Sequence, residues 1–281
     1  MIASPGTLYV VATPIGNLDD LSPRARQILD AVAVVACEDT RRTGQLLTHT
    51  GIQKPLMSLH EHNESRRVDQ ILERLKGGED VALVSDAGTP LVSDPGYRLL
   101  AALREANLPV CPVPGPSAVI AALSVAGLPS DRFHFEGFLP AKSGARRARL
   151  AALADCPHTL IFYEAVHRVD ACLADMADVL GAGREATLCR ELTKRHETIQ
   201  RGSLANLREQ READPGADRG EVTLVVAGCE SDRDPAGAEL ERVFALLAPE
   251  LPPGKAAALA ARITGARRAD AYRLASLPDS E

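Results

Sequence analysis

Three loops of the chain are rich in glycine, proline and small polar residues, and each follows a short apolar run. They are residues 13–17 (TPIGN), 85–90 (SDAGTP) and 114–118 (PGPSA). Glycine lets a backbone approach a ligand closely, and proline fixes φ and stiffens a loop. In open parallel sheets, ligands bind outside the carboxyl ends of the strands. The three loops therefore predict a preorganised pocket that is lined mostly by main chain.

Two further segments carry more charge than an ordinary turn needs. Residues 38–44 read EDTRRTG and residues 60–64 read HEHNE. For the first segment, a structural alternative is a helix start capped by Asp39 or Thr40. For the second, the two histidines could hold a metal, but no third ligand stands at a suitable spacing. A loop that faces a polar substrate is the better interpretation of the second segment.

Composition and charge narrow the class of protein. The chain has 281 residues, 45% of them hydrophobic and 25% charged, with a formal net charge of -6. This acidic balance counts against a protein that binds bare nucleic acid mainly by charge. The six cysteines form no C-x-x-C pair, which favours a reduced, cytoplasmic protein. The start lacks the basic region of a signal peptide, and the longest uncharged run, residues 106–130, contains too many prolines for a membrane helix.

The elements that must position the loops alternate between short apolar runs and helical patterns. In the first half, TLYVVA, residues 31–36, VALVS and PVCPV are strand candidates, and helical patterns separate them. This alternation predicts βαβ units and a mainly parallel sheet. Ser22 as N-cap with Pro23 at the first position predicts the start of one helix, and Gly77 with Gly78 predicts the end of another. No G-x-G-x-x-G or G-x-x-x-x-G-K-[ST] motif follows a strand, so a common dinucleotide site and a P-loop are not supported.

A second α/β region begins near Val119, with HTLIFYEA, EATLCREL and GEVTLVVAG as its strands. We expect an N-terminal α/β domain over residues 1–117, a second over 118–229, and a linker with a helical tail over 230–281. The tail is rich in alanine and is broken at Gly265. Two short helices around a turn are typical of a helix-turn-helix, and a small capping bundle is the alternative.

Nine segments in chain order carry a resemblance to a known family. They read ATPIGNLDDLS, EDTRRTGQLL, HEHNE, SDAGTPLVSDPG, PGPSA, FEGFLP, FYEAVHR, CRELTK and GEVTLVV. Together they resemble the tetrapyrrole-methylase superfamily. Within it they are similar to the branch that 2'-O-methylates a cytidine ribose in the decoding region of small-subunit (16S) ribosomal RNA. The match runs from about Thr7 to Cys229, and the helical tail resembles the C-terminal extension of that branch.

The resemblance implies two α/β domains of the tetrapyrrole-methylase type, a homodimer, and S-adenosylmethionine in the cleft between the domains. It implies small-subunit rRNA as the partner, no membrane association and no metal. By position, it places the cofactor contacts on Pro14, Ile15, Asp86, Gly88, Thr89, Ser117, Ala118, Tyr163, Leu192 and Val222. The loop after VALV would then be a wall of the cofactor site.

Methylation of a ribose hydroxyl requires in-line alignment and a group that accepts the hydroxyl proton. Asp39, His60 and Glu164 are candidate bases, and the sequence does not rank them. The segment AKSGARRAR has four cations, Lys142 among them, and no acid, which fits docking on a folded ribosomal particle or simply a solvated helix face. The candidate substrate contacts are Arg41, Arg42, Asn63, Arg146, Arg147 and Arg149.

Two other functions stay open on the sequence. A tetrapyrrole (porphyrinogen) C-methyltransferase would share the fold, but the EDTR segment and the basic tail argue against it. A non-catalytic RNA-binding adaptor would use the helix-turn-helix tail without consuming S-adenosylmethionine, but the three intact loops argue against it.

Overall fold

The computed structural model describes residues 4–60, 63–214, 216–229 and 235–275. The chain divides into two compact units, Met1–Gly228 and Cys229–Glu281. Glu61 and His62 of the HEHNE segment lie outside the described residues, as do residues 230–234 of the expected linker.

The first sheet of the larger unit is parallel throughout and has the order β3-β2-β4-β1-β5. Its strands are β1 Leu8–Val11, β2 Val34–Cys37, β3 Leu56–Ser58, β4 Val81–Leu83 and β5 Val110–Val113. The helices between them are α1 Pro23–Ala31, α2 Thr40–Thr50, α3 Glu64–Lys76 and α4 Tyr97–Glu105. The predicted parallel sheet is confirmed, although β3 was missed because three residues carry too little pattern.

Local signals explain where the helices of this sheet begin and end. The Ser22 hydroxyl accepts a hydrogen bond from Ala25 N, and Pro23 takes the first helical position of α1, as predicted. Helix α3 ends at Gly77, which the sequence marked as the stop. Its buried side chains recur at helical spacing and join the core between helix and sheet.

The second sheet has the order β6-β7-β10-β8-β9, and only its β6–β7 pair is parallel. Its strands are β6 Phe133–Phe138, β7 Thr159–Ala165, β8 Glu185–Arg190, β9 Thr198–Ser203 and β10 Glu221–Val226. Its helices are α5 Ala118–Ala126, α6 Ser143–Ala151, α7 Val169–Leu180 and α8 Leu204–Glu212. The strands β7, β8 and β10 were predicted. The sequence missed β6, which has a bulge between Phe135 and Gly137, and the polar edge strand β9.

The chain passes from one sheet to the other between β5 and α5. Helix α5 packs on the second sheet, where Val119 and Leu123 share a core cluster with Ile161 and Cys189. The proposed domain boundary between residues 117 and 118 falls at this crossing and stays a prediction.

The smaller unit contains the helices α9 Pro235–Leu247, α10 Pro253–Thr264 and α11 Arg268–Ala275. Gly265, with a φ of 74°, ends α10 and makes the break that the sequence predicted. Buried alanines such as Ala257, Ala260 and Ala271 let the helices pack closely. Across the described residues, no helix combines the length and apolar character needed to cross a membrane.

Candidate cofactor and active site

The three loops of the predicted pocket meet at the carboxyl ends of β1, β4 and β5, which are neighbours in the first sheet. Thr13 N donates to Gly88 O at 2.9 Å, and Gly88 N donates to Thr13 O at 3.0 Å. The Thr89 hydroxyl donates to the Pro116 carbonyl at 3.0 Å. These bonds join the three loops into one wall.

A cavity of about 490 Å³ lies between this wall and the second sheet. Eight of the ten residues expected to contact the cofactor line it, namely Ile15, Asp86, Gly88, Thr89, Ser117, Ala118, Tyr163 and Val222. Gly88 has a φ of 81°, and a Cβ there would lie 3.2 Å from Ile15 Cγ2. This backbone conformation and close approach favour glycine.

The remaining two expected contacts, Pro14 and Leu192, are not among the residues that line the cavity. Pro14 directly precedes Ile15 in the first loop. Leu192 packs against the core cluster of Val119 and Cys189, so its side chain contributes to the interior beside the second sheet. Their assignment as cofactor contacts has no support from this geometry and remains a prediction.

The second sheet supplies the opposite side of the cavity through β7 and β10. These strands pair antiparallel, with Val222 opposite Glu164 and Thr223 opposite Tyr163. The Tyr163 ring centroid lies 5.0 Å from that of Phe135. Burial raises the pKa of Tyr163 to about 12, so its phenol stays neutral near physiological pH.

Four carboxylates and one guanidinium line the cavity, so its charge is predominantly negative. Three of the carboxylates have cationic partners: Glu164 pairs with Arg168 at 2.8 Å, Asp86 with Arg42 at 3.4 Å, and Glu221 with Lys194 at 3.0 Å. Glu164, a predicted base, thus lines the cavity but has a fully buried side chain that is held by Arg168. A carboxylate held in this way is poorly placed to take a substrate proton.

Asp94 is the fourth lining carboxylate, and the sequence did not single it out. Burial raises the pKa of Asp94 to about 6; a hydrogen bond with Ser85 opposes the rise, and the charges of Glu38 and Asp86 add to it. The residue stands in the quoted segment SDAGTPLVSDPG. Its type alone did not distinguish a desolvated carboxylate from a common turn residue.

Asp39 caps α2, which is the structural alternative that the sequence allowed. Its carboxylate accepts from Arg41 N at 2.8 Å and pairs with Arg41 Nη2 at 2.7 Å. The hydrogen bonds from Arg41 hold the pKa of Asp39 well below its usual range. Asp39 is not among the cavity-lining residues, and a carboxylate with a lowered pKa is a weak base. The geometry argues against the predicted catalytic role of Asp39. The Arg41 side chain is paired with the same capping carboxylate.

His60 and Asn63 lie in a loop that folds on itself. The Asn63 side chain accepts from His60 N at 2.9 Å, and its amide nitrogen lies 3.0 Å from His60 Nε2. The same amide donates to the Ser58 carbonyl at 3.1 Å. Neither His60 nor Asn63 lines the cavity. Their predicted catalytic and substrate roles remain untested, and the structure shows the Asn63 side chain bonded to His60 and Ser58.

The cluster on α6 is not a patch of free cations. Arg146 Nε lies 2.7 Å from Asp175 on α7, and the Arg146 side chain is only 4% exposed. This geometry argues against the predicted contact of Arg146 with RNA phosphates, because the guanidinium is buried and paired, and the contact stays a prediction. Arg147 pairs with Asp178, and Arg149 binds Glu136 through two nitrogens. Both are partly exposed, and their predicted phosphate contacts remain predictions.

Comparison with known proteins assigns this architecture to a family. A family model described as Tetrapyrrole (Corrin/Porphyrin) Methylases matches residues 7–208, a span that begins just before β1 and extends into α8. The chain belongs to the tetrapyrrole methylase family. A second model, described as the RsmI C-terminal HTH domain, matches residues 234–276 of this methylase. That match supports the predicted helix-turn-helix tail.

Curated relatives of the methylase are similar over nearly its full length. A protein of Xylella fastidiosa (strain Temecula1) is 56% identical over 96% of this chain and 99% of its own. A protein of Escherichia coli O157:H7 is 50% identical over 97% of this chain and 95% of its own. Both are named "Ribosomal RNA small subunit methyltransferase I".

Solved structures share the fold of the methylase at low sequence identity. Diphthine synthase matches with a TM-score of 0.60 at 16% identity, covering 79% of this chain and 90% of that one. A uroporphyrin-III C-methyltransferase from Thermus thermophilus, complexed with S-adenosylhomocysteine, matches with a TM-score of 0.55 at 18% identity. It covers 79% of this chain and 97% of that one. At this identity the likeness shows the fold alone.

Proposed function

We propose that this methylase uses S-adenosylmethionine to 2'-O-methylate a cytidine ribose in the decoding region of 16S rRNA. One observation carries the proposal. The strand-end cavity lies in a chain that is about half identical, over nearly its whole length, to proteins named as small-subunit rRNA methyltransferases.

The cavity fits the proposed cofactor in size and chemistry. Its volume of about 490 Å³ lies within the roughly 300–1,000 Å³ of small-molecule sites. Ile15, Val92 and Val166 give it apolar surface, and Thr89 and Ser117 add hydroxyls. Asp94 is the one lining carboxylate without a cationic partner among the described residues, and its charge suits the sulfonium of this ligand. The bound cofactor supplies an activated methyl group, and the loop residues would hold it.

The rest of the catalytic work falls to the chain's own residues. They must position the ribose hydroxyl, exclude water and accept the hydroxyl proton. Arg42 reaches the rim of the cavity from α2, and its side chain is largely exposed beside Asp86. A guanidinium at that place can hold a backbone phosphate of the RNA and so fix the nucleotide next to the cavity.

The smaller unit offers a second contact for the RNA. Between Lys255 and Arg273 the sequence has five cations and one acid, a formal charge of +4, whereas the whole chain carries -6. This local excess lies on α10, α11 and the turn between them. The proposal therefore assigns RNA docking to the helix-turn-helix and chemistry to the cavity.

A direct experiment supplies the protein with labelled S-adenosylmethionine and small ribosomal subunits from cells that lack it. Ribose methylation is then mapped by resistance to alkaline cleavage, with free 16S rRNA and a porphyrinogen as rival substrates. Label at a single cytidine ribose of the subunit is the expected result. Label on the porphyrinogen would indicate a C-methyltransferase, and RNA binding without label would indicate an adaptor.

The wider proposal includes a homodimer that acts in the cytoplasm. Light scattering on the purified protein tests the first part, and fractionation of cells tests the second. A monomer that is fully active on small subunits would contradict the homodimer.

A further inference from the structure

Asp94 differs from every other carboxylate that lines the cavity. The other three are each paired with an arginine or a lysine, as described above. Within the described part of the chain, no cation lies within 4.0 Å of the Asp94 carboxylate. Asp94 therefore faces the cavity as a half-buried carboxylate that has no ion-pair partner among the described residues.

The loop that carries Asp94 is fixed from both sheets. Val92 packs against the core cluster of α5 and the second sheet. A Cβ on Gly137 of β6 would lie 3.2 Å from Ser93 Oγ, so Ser93 contacts that strand closely. Leu91 and Ser93 have φ values of 75° and 66°, which residues with a side chain rarely adopt. Strain of this kind persists only where the surroundings enforce it, and it clusters at functional sites.

We propose that Asp94 accepts the proton of the ribose hydroxyl that is methylated. The inference rests on the proposed function, because it requires a ribose hydroxyl in the cavity. As the ribose oxygen bonds to the methyl carbon, the carbon–sulfur bond of the sulfonium breaks with both electrons left on sulfur. The O–H proton passes to a carboxylate oxygen of Asp94. The products are a neutral thioether, a methyl ether and a protonated Asp94, so the charge balances.

The surroundings of Asp94 suit a base that works near neutral pH. The groups that act on its charge are Ser85 and Asp86 of its own loop, Glu38 after β2, and Tyr163 on β7. Arg42 and His167 also line the cavity, but Arg42 pairs with Asp86, and neither forms an ion pair with Asp94. Burial, with the charges of Glu38 and Asp86, raises the pKa of Asp94 to about 6. The carboxylate is then mostly ionised at neutral pH, yet it is a stronger base than an ordinary aspartate.

The test compares Asp94→Asn with the wild type in single turnovers on small ribosomal subunits across about pH 5 to 9. Loss of a general base typically slows the reaction about 10²–10⁴-fold. We expect that loss, together with S-adenosylmethionine affinity close to that of the wild type. The wild-type rate should rise with pH to a plateau with an inflection near 6. Asp131→Asn, which removes a charge from an exposed loop, is the matched control with wild-type kinetics.

A second measurement does not depend on turnover. Carboxyl carbon NMR of the protein alone, with Asp94→Asn used for assignment, should give a resonance that titrates near pH 6. If the asparagine variant fails to fold, the resonance cannot be assigned in this way, and the pH profile of the wild-type rate decides the matter. A wild-type profile without an inflection between about pH 5 and 7 would overturn the role of Asp94.

The outcomes separate the two proposals. A wild-type protein that methylates no small-subunit rRNA refutes the proposed function. A wild type that does so, with Asp94→Asn equally fast, refutes only the role of Asp94. A variant that loses cofactor affinity but keeps its rate at saturation makes Asp94 a cofactor ligand instead. His167 also lines the cavity. If His167→Gln slows methylation and Asp94→Asn does not, His167 is the residue that accepts the hydroxyl proton.

Discussion

Asp94 lies in the cavity wall with its carboxylate partly removed from water, and this has a consequence for stability as well as for catalysis. Its pKa in the folded protein is raised from 3.8 to about 6. The folded state therefore binds this proton more tightly than the unfolded state does. The stability that the proton gives is complete below 3.8 and is lost as pH rises through about 6. Above this window the ionised Asp94 destabilises the fold.

We accordingly expect Asp94→Asn to melt at a higher temperature than the wild type at about pH 7.5. The difference should shrink as the pH falls and approach zero below 3.8, where the wild-type carboxyl becomes protonated in the unfolded state as well as in the folded state. Thermal melts across this range measure the effect, with Asp131→Asn as the control for the loss of one charge. A variant that is less stable than the wild type at neutral pH would contradict the desolvation of Asp94.

A second residue-scale prediction concerns Asp39, which the sequence nominated as a base. Asparagine caps helices about as well as aspartate does. The substitution Asp39→Asn removes chiefly the exposed pair with Arg41. We expect a change in single-turnover rate well below the roughly 10²-fold minimum for loss of a general base. A larger loss, with unchanged melting temperature and cofactor affinity, would restore Asp39 to the catalytic site.

At the scale of elements, the ion pair of Arg146 with Asp175 joins α6 to α7. The Arg146 guanidinium also donates to the carbonyl of Ala141 at 3.2 Å, so its removal leaves several buried groups unsatisfied. We expect Arg146→Ala to lower the free energy of unfolding by about 3–5 kcal/mol. Arg149→Ala, which removes a more exposed pair with Glu136, should lower it by about 0–1 kcal/mol. Urea denaturation of the two variants measures both values. Equal effects would mean that burial does not decide the contribution of these pairs.

At the scale of the whole molecule, chemistry and docking are assigned to different units. Lys255 and Arg262 are seven residues apart on α10, so they lie on one side of that helix. Together with Arg268 they are exposed and, within the described residues, pair with no carboxylate. We expect the triple change to glutamate to weaken binding to small ribosomal subunits without altering cofactor affinity.

The salt dependence of binding tests this docking surface. If the three cations contact phosphates, the slope of log K against log salt should become shallower by about two to three units. Arg242→Glu on α9 is the matched control, because Arg242 is exposed but already pairs with Glu239. An unchanged slope in the triple variant would show that the surface is solvated and not in contact with RNA.

The sequence by itself determined the elements and loops that rest on local signals. Proline and glycine at strand ends marked the three loops, the Ser22 cap and Gly77 marked helix ends, and Gly265 marked the break in the tail. These residues act through their own φ values and through hydrogen bonds to near neighbours in the chain. Their structural effect can therefore be predicted from the sequence alone. The order of the nine motifs along the chain similarly predicted the family, because few other families would have all nine in that order.

The tertiary structure decided which charged residues are available for chemistry. Arg146 is neutralised by Asp175, which is 29 residues away, and Glu164 is held by Arg168. Asp94 is desolvated through a loop that the second sheet anchors at Val92. The burial and the pKa of a side chain depend on neighbours that come from distant segments of the chain. They cannot be predicted from the residue type. For this reason the sequence predicted the loops of the cavity wall, but it indicated Asp39 and not Asp94 as a candidate base.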